Sequence, residues 1–197
     1  MITHNIETPP SQWVKRFLPL VPKTENSFLL DYACGSGRHT RIALEQGLRV
    51  VAVDVNTSAV QGLKKNLPQS MQNNLQILTL DLEETDFPTP LEEYDFSGIV
   101  VTNYLFRLHL PKLFNLLASG GILIYETFLL GNEKFGKPSN PHFLLKKDEL
   151  WQYIQPNDEF SVVSFEQGYV GEPKPAMIQR ICAVKQNSIG LQLHHEY

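Results

Sequence analysis

Short apolar runs alternate with helical patterns along most of the chain. The runs are rich in Val, Ile and Leu and predict five buried strands, at residues 28–33, 49–54, 75–80, 95–101 and 122–126. Helices are predicted between these strands at residues 38–46, 57–66 and 111–118. Strands that alternate with helices predict an α/β protein with a parallel sheet and right-handed crossovers.

Both ends of the chain depart from this alternation. Residues 1–10 read as an irregular arm, and Ser11 is a predicted cap for a short helix over residues 12–17. Near the other end, residues 147–154 predict a helix. Two further strands, 160–166 and 178–184, are joined by a turn around 168–175 and predict an antiparallel hairpin at the sheet edge. The polar tail, 186–197, is predicted to be loose.

Residues 129–147 fit neither a strand nor a helix. A 19-residue connection rich in Gly, Pro and aromatic residues is usually functional in a compact domain, so it predicts a substrate lid. Phe135 and Phe143 would form its walls, and Asn132 a polar contact. Arg107 and the loop lysines would suit an anionic acceptor, although loop lysines often serve only to solvate the surface.

The length and composition limit the classes of function that the chain can have. A chain of 197 residues with 42% hydrophobic and 19% charged residues predicts one globular domain. The net charge of −4 argues against a nucleic-acid binder. Two cysteines favour neither a disulfide framework nor a zinc site, and we expect no metal, no membrane span, no signal peptide and a cytoplasmic location.

The predicted single domain, 1–197, divides into five segments. They are an N-terminal arm and helix (1–27), a cofactor-binding core (28–128), the lid (129–147), a C-terminal helix and hairpin (148–185) and the tail (186–197).

The segment L-L-D-Y-A-C-G-S-G-R-H, residues 29–39, carries the most information about function. An apolar run ends in Asp31, and Gly35 and Gly37 follow before a helix start. A strand that leads into a glycine turn lets the backbone come close to a bound cofactor. Asp31 would repel a phosphate and attract a cationic ligand such as S-adenosylmethionine. The acid therefore favours methyl transfer over hydride transfer.

Acidic residues also follow the second and third predicted strands. Asp54 stands at the position where a carboxylate accepts hydrogen bonds from a ribose diol, as it would in NAD, FAD or S-adenosylmethionine. It can equally cap the helix that follows. Asp81, together with the amide of Leu82, would meet an adenine ring, or else form a turn that faces solvent. Because ligands bind beyond the carboxyl ends of parallel strands, these acids would share one site.

A dinucleotide site fits less well. Its fingerprint is G-x-G-x-x-G/A, and Thr40 takes the place of the third small residue. Asp31 would also face the pyrophosphate. No ATP phosphate loop is present, and Cys34 lacks an obvious activating base, so it reads as a packed small residue.

These residues resemble a known family. Residues 29–37 look like motif I of the class I S-adenosylmethionine-dependent methyltransferases, with Ala33 replacing the usual first glycine. D-Y-A-C-G-S-G-R-H-T, V-V-T-N-Y-L at 100–105 and Y-E-T-F at 125–128 resemble the small bacterial branch related to tellurite-resistance methyltransferases. The resemblance spans residues 11–185. It implies a Rossmann-like, doubly wound, seven-stranded sheet in three α/β/α layers, mostly parallel, with an antiparallel last strand.

The resemblance also implies a set of cofactor contacts, with S-adenosylhomocysteine as the product. They are Asp31 with the ammonium, directly or through water; Ala33, Cys34, Gly35 and Gly37 with the methionine part; Asp54 and Val55 at the ribose; Asp81 and Leu82 at adenine; and Asn103 near the methionine or the methyl group. Arg38 would pair with the methionine carboxylate or an anionic acceptor, or lie on the surface.

Methyl transfer is an in-line displacement in which positioning supplies much of the rate. Tyr104 and Glu126 lie at predicted strand ends and are the candidate catalytic groups for removing a proton. With no appended domain to grip a macromolecule, we expect a small-molecule acceptor (a metabolite, thiol or oxyanion) and no nucleic-acid or membrane partner. A nicotinamide-dependent oxidoreductase and a non-catalytic S-adenosylmethionine-binding module are the alternatives.

Overall fold

A seven-stranded sheet forms the centre of the computed structural model, which describes residues 9–155 and 159–186. The sheet order is β3-β2-β1-β4-β5-β7-β6. The strands are β1 Phe28–Tyr32, β2 Val50–Asp54, β3 Leu75–Thr79, β4 Phe96–Thr102, β5 Leu117–Phe128, β6 Phe160–Val170 and β7 Ala176–Lys185. Strands β1 to β5 are parallel, and β7 runs antiparallel between β5 and β6. The predicted fold class is confirmed.

Helices cover both faces of the sheet. They are α1 Gln12–Phe17, α2 Arg38–Glu45, α3 Thr57–Lys65, α4 Gln69–Gln72, α5 Leu110–Asn115 and α6 Glu149–Ile154. Adjacent residues of β1 point to opposite faces, so Leu29 packs in the core with α1, α2 and α3, whereas Leu30 packs in the core with α5 and α6. This alternation produces the expected three layers.

The strands near the end of the chain are longer than the sequence predicts. The predicted helix 111–118 ends at Asn115, and β5 begins at Leu117. Here the β4–β5 register jumps from Leu117 opposite Phe96 to Ile122 opposite Gly98, so the Gly120-Gly121 pair forms an irregularity within the strand. The glycines therefore mark a bulge.

The last strand lies inside the sheet and contributes to the core. Ile181, Cys182 and Ala183 of β7 are fully buried, and the indole Nε1 of Trp13 donates to the carbonyl of Ile181 at 3.3 Å. Because β7 separates β5 from β6, the hairpin forms part of the core. The predicted tail, 186–197, lies outside the described residues except for Gln186, and so do the first eight residues of the arm.

The predicted lid is irregular, as expected, but it is attached to the sheet. It contains two short 3-10 turns, Asn132–Lys134 and Pro141–Phe143, and a bridge joins Leu129 to Leu145. No helix in the described ranges is both long and apolar enough to cross a bilayer.

Candidate active site

The sheet order reverses between β1 and β4, and the predicted cofactor residues meet beyond the carboxyl ends of these strands. The crossover from β1 leads to β2 on one side, and the next strands along the sheet, β4 and β5, lie on the other. Such a switch point leaves a crevice where open α/β sheets bind ligands.

The loop after β1 approaches this crevice with its backbone. Ala33, Gly35 and Gly37 all adopt positive φ, at 58°, 55° and 77°. A Cβ on Gly37 would come within 2.4 Å of Leu63, so a glycine is required there for packing. A Cβ on Gly35 would meet no atom within 4 Å, so this part of the loop faces open space that can admit a cofactor. Cys34 is buried beneath the loop, and burial raises the pKa of its thiol.

Asp31 is buried and bonded to its own chain. Its Oδ2 accepts hydrogen bonds from the amide and hydroxyl of Thr40, at 2.8 and 2.6 Å, and the side chain is 1% exposed. Burial raises the pKa of the carboxyl to about 6, against the lowering effect of the two bonds from Thr40. The sequence predicts a charged residue at this position, but it does not predict that the side chain packs beneath α2.

Asp54 links the loop to the second crossover. Its Oδ2 accepts from the amide of Gly35 at 2.7 Å, and its Oδ1 accepts from the amide of Asn56 at 2.9 Å. The cap of α3 comes from Asn56, whose side chain accepts from Ala59, so Asp54 is not the capping residue. The half-buried carboxylate therefore stands beside the loop, where the ribose interpretation requires it.

The predicted adenine side is held by Tyr104. Its hydroxyl donates to the carbonyl of Leu82 at 2.8 Å, and Asp81 accepts from the amide of Glu83 at 2.9 Å. Burial and the neighbouring Tyr32 raise the pKa of Tyr104, so the phenol keeps its proton at neutral pH. Val55, directly after β2, is 62% exposed, as expected of a residue that a ligand would cover.

A cavity of 420 Å³ lies next to the cofactor crevice. Asn103 belongs to both, since it follows β4 and lines the cavity wall. Three separate segments complete the walls: residues 9–12 of the arm, residues 132–137 of the lid, and residues 170–176 between β6 and β7. The volume is typical of a site for a small organic ligand.

Glu126 lines this cavity as part of a charged network. Its Oε1 accepts from the hydroxyl of Ser11 at 2.7 Å, and its Oε2 pairs with Arg180 at 3.1 Å. Arg180 also pairs with Glu166 and lies over the ring of Trp13, 4.7 Å from the centroid. Both oxygens of the predicted catalytic carboxylate are therefore engaged with protein groups.

The arm is fastened to the start of α2. The Nη1 of Arg38 donates to the carbonyl of Pro9 at 3.1 Å. The amide of Ser11 donates to Nε2 of His39 at 3.1 Å, and Nδ1 of His39 lies 3.3 Å from the hydroxyl of Thr102. Burial and nearby Arg38 lower the pKa of His39 to about 3. The imidazole is therefore neutral, and the hydrogen bonds assign its proton to Nδ1.

Two of the four predicted substrate residues lie outside the cavity. Arg107 forms a bidentate pair with Glu149 at 2.6 and 2.9 Å and donates to the carbonyls of His142 and Leu144, so it fastens the lid. Phe143 is 44% exposed and does not line the cavity. Nothing in the local sequence around Arg107 identifies Glu149 as its partner.

The other two predicted substrate residues do line the cavity. Phe135 packs on Tyr169, with 5.2 Å between ring centroids. Asn132 is 2% exposed, donates to the carbonyl of Pro138 and accepts from the amide of Met177. Its amide group thus joins the lid to β7.

Sequence reasoning did not single out five polar residues of the cavity wall: Ser11, Gln12, Glu172, Lys174 and Arg180. A charged residue inside the apolar run I-Q-R-I-C-A-V is the one available signal for Arg180, because an unpaired charge is rare in a buried strand.

Similarity to known proteins agrees with this arrangement. Residues 29–121 match a methyltransferase domain family. A tRNA U34 carboxymethyltransferase of Shewanella woodyi is 30% identical over 172 residues, which cover 78% of this chain and 51% of that protein. Ribosomal RNA small subunit methyltransferase A of Mycoplasma mycoides is 23% identical over 121 residues, covering 61% and 44%. The chain spans about half the length of these curated relatives.

Solved structures agree on the fold. TehB from Haemophilus influenzae has a TM-score of 0.67 at 18% identity, over 93% of this chain and 64% of that one. The glycopeptide N-methyltransferase MtfA, complexed with S-adenosyl-L-methionine, has a TM-score of 0.61 at 15% identity, over 94% and 99%. Over residues 29–121 the chain thus matches a methyltransferase domain, and its fold is that of S-adenosylmethionine-dependent methyltransferases, as the sequence predicts. Within that class, it resembles TehB.

The prediction of no nucleic-acid partner is wrong. The relatives found by sequence include enzymes whose names specify tRNA and ribosomal RNA as substrates. The net charge of −4 is a sum over the whole chain and carries no information about local patches, which are what a phosphate backbone contacts.

Proposed function

We propose that the chain transfers a methyl group from S-adenosylmethionine to an acceptor that enters the 420 Å³ cavity. The observation that carries this proposal is the junction at Asn103, which borders the cofactor crevice and lines the cavity. A methyl donor in the crevice and an acceptor in the cavity would then meet at the end of β4. That arrangement is what an in-line displacement requires.

The proposed cofactor contacts follow the strand ends. Asp54 takes the ribose hydroxyls, the open side of Gly35 admits the methionine part, and Asp31 supplies negative charge below the ammonium. The remaining contacts are Ala33, Cys34 and Gly37 in the loop, Val55, Asp81 and Leu82 around adenine, and Asn103 toward the cavity. Arg38 lines the cavity and takes the second of its two predicted roles, as a partner for the acceptor. MtfA structures with S-adenosyl-L-methionine, S-adenosyl-L-homocysteine and sinefungin support this choice of cofactor.

When bound, the cofactor supplies an activated methyl group whose carbon–sulfur bond breaks, with its electron pair returning to sulfur, as the acceptor's lone pair forms the new bond. The chain's own groups position the reactants. Tyr104 holds the Leu82 carbonyl, and its raised pKa makes it a poor base. Glu126 is the nearer candidate for receiving a proton, because it lines the cavity, but it first has to exchange a bond from Ser11 or Arg180.

We propose a small molecule as the acceptor, since the cavity has the volume of a metabolite site. RNA is the second candidate, and the named substrates of the sequence relatives favour it. In that case the modified base would have to leave its stack to enter the cavity.

Calorimetry with S-adenosylhomocysteine and with NAD tests the cofactor. We expect S-adenosylhomocysteine to bind; binding of NAD alone would show an oxidoreductase-type site instead. Formation of S-adenosylhomocysteine is then measured with a panel of thiols, oxyanions, amines and carboxylates, and separately with tRNA and ribosomal RNA. Cofactor binding without turnover on any acceptor would favour the non-catalytic module.

A further inference from the structure

The charges that line the acceptor cavity are opposite in sign to the charge of the whole chain. The chain carries −4. Four basic and two acidic side chains line the cavity: Arg38, Lys137, Lys174, Arg180, Glu126 and Glu172. A cavity that concentrates positive charge in an acidic protein draws anions toward it.

The two charges that the strands contribute to the wall cancel each other. Arg180 pairs with Glu126 at 3.1 Å and, away from the cavity, with Glu166. This leaves three cations, the half-buried Arg38 and the exposed Lys137 and Lys174, against Glu172 alone. The excess of positive charge thus comes from groups that a ligand can reach.

Arg38 is the one member of the three that is partly removed from solvent. Among the described residues, its guanidinium donates to the carbonyl of Pro9, and no carboxylate there lies at ion-pair distance from it. Burial lowers the pKa of its guanidinium against the weaker opposite effect of Glu126 and Asp31. A partly desolvated guanidinium gains most from an anion that offers two oxygens.

Most of the uncharged wall residues are apolar, with Phe128, Phe135 and Ile178 among them. We infer that the methyl acceptor carries a carboxylate or phosphate, held between Arg38 and the two lysines, Lys137 and Lys174, beside an apolar body. The inference rests on the proposed function. A free organic anion and a nucleotide phosphate of RNA share this chemistry.

Calorimetry on the full chain loaded with S-adenosylhomocysteine tests the inference. The probes are phenyl phosphate and benzoate, with benzyl alcohol as the uncharged analogue. We expect at least one anion to bind, more weakly at high ionic strength, and benzyl alcohol to bind at least tenfold more weakly. The double variant Lys137→Gln/Lys174→Gln should weaken anion binding about tenfold, as expected for lost charge-assisted bonds.

The matched control is Lys64→Gln/Lys65→Gln, which removes two exposed lysines on α3, remote from the cavity wall. It should leave anion binding unchanged. Benzyl alcohol binding as tightly as the anions, or equal losses in both double variants, would overturn the inference. A tRNA transcript that competes with phenyl phosphate, and depends on Lys137 and Lys174, would identify RNA as the source of the phosphate.

Binding of tRNA that is insensitive to Lys137→Gln/Lys174→Gln, with no binding of the small anions, would also overturn it. Failure of the proposed function would give a different experimental result from failure of this inference. It would appear as absence of S-adenosylhomocysteine binding in the unmodified chain, whatever the anions do.

Discussion

Much of the predicted cofactor site rests on single acidic residues, and in the structure each of them also accepts hydrogen bonds from the chain itself. Asp31 indicates a cationic cofactor by its charge, and in the fold it also accepts two bonds from Thr40. Asp54 indicates a ribose contact by its place after β2, and it also fixes Gly35 and Asn56. The residue type and the strand end are readable from sequence, because apolar runs define where strands stop. The protein partners depend on crossovers that no local pattern specifies.

Replacing Asp31 by Asn should change how stability depends on pH. In the folded state burial raises the pKa of Asp31 from 3.8 to about 6, so the folded protein holds this proton more tightly than the unfolded chain does. The contribution of Asp31 to the free energy of unfolding is therefore greatest below pH 4 and is lost as the pH rises to about 6. Relative to Asp31→Asn, the wild type should lose about 3 kcal/mol of unfolding free energy between pH 4 and 7. Parallel stability curves from urea titrations would contradict this.

Replacing Asp54 by Ala should weaken S-adenosylhomocysteine binding by about 1–3 kcal/mol, since charge-assisted hydrogen bonds are lost. Because Asp54 also holds Gly35, Asp54→Asn separates the two effects by keeping one acceptor oxygen for the loop. Calorimetry is the measurement, and Glu92→Ala, at an exposed site, is the control. Unchanged affinity in Asp54→Ala would remove this residue from the site.

Among the elements, strand centres are predicted better than strand lengths. The predicted and observed positions of β1, β2 and β3 agree to within a residue at each end. The glycine pair at 120–121 reads as a helix end, yet β5 runs through it because β4 pairs with the strand both before the glycines, at Leu117, and after them, from Ile122. The four-residue helix α4 went unpredicted, since so short a segment has no periodicity to detect.

The sequence predicts that the lid as a whole binds ligand, but its two ends lie in different places. Its first part, residues 132–137, lines the cavity, while its second part is fastened by Arg107. Burial alone would raise the pKa of Glu149, but hydrogen bonds from Arg107 and the Lys146 amide hold it below its usual value. The pair is thus ionised and stabilising at neutral pH.

Arg107→Met should release the second part of the lid. The loss leaves Glu149 without its partner, in a place where its side chain is 10% exposed, and removes bonds to two carbonyls. We expect a destabilisation of about 1–3 kcal/mol, reduced by solvent access to Arg107, and faster tryptic cleavage after Lys146 or Lys147. Lys134→Met, which changes an exposed lid residue, is the control and should leave both unchanged. Equal cleavage rates in the two variants would show that Arg107 does not fasten the lid.

At the scale of the whole molecule, the family resemblance predicts the seven-stranded sheet and its antiparallel last strand, but not the construction of the cavity. The matched methyltransferase domain covers residues 29–121, whereas the cavity depends on Ser11, Arg180 and the turn 170–176. These segments meet because β7 inserts beside β5. Local sequence patterns cannot reveal such a meeting, since each segment reads as an ordinary loop or strand end.

Residues 1–155 should therefore not fold without the closing hairpin. Removing β7 exposes the paired edge of β5 and deletes the fully buried Ile181, Cys182 and Ala183. We expect the truncated chain to aggregate or to lack a cooperative thermal transition by circular dichroism, whereas residues 1–186 should melt like the full chain. A truncated chain that melts cooperatively and binds S-adenosylhomocysteine would show that the matched segment is autonomous.

The bond from Trp13 to the carbonyl of Ile181 spans 168 positions of the chain. During synthesis the indole of Trp13 has no acceptor for this bond until β7 has left the ribosome and paired with β5. A nascent chain can thus form its core strands while the acceptor cavity is still open on two sides. Residues 170–180 of the cavity wall are synthesised after all its other parts, so a chain that still lacks them has no enclosed space in which to hold an acceptor.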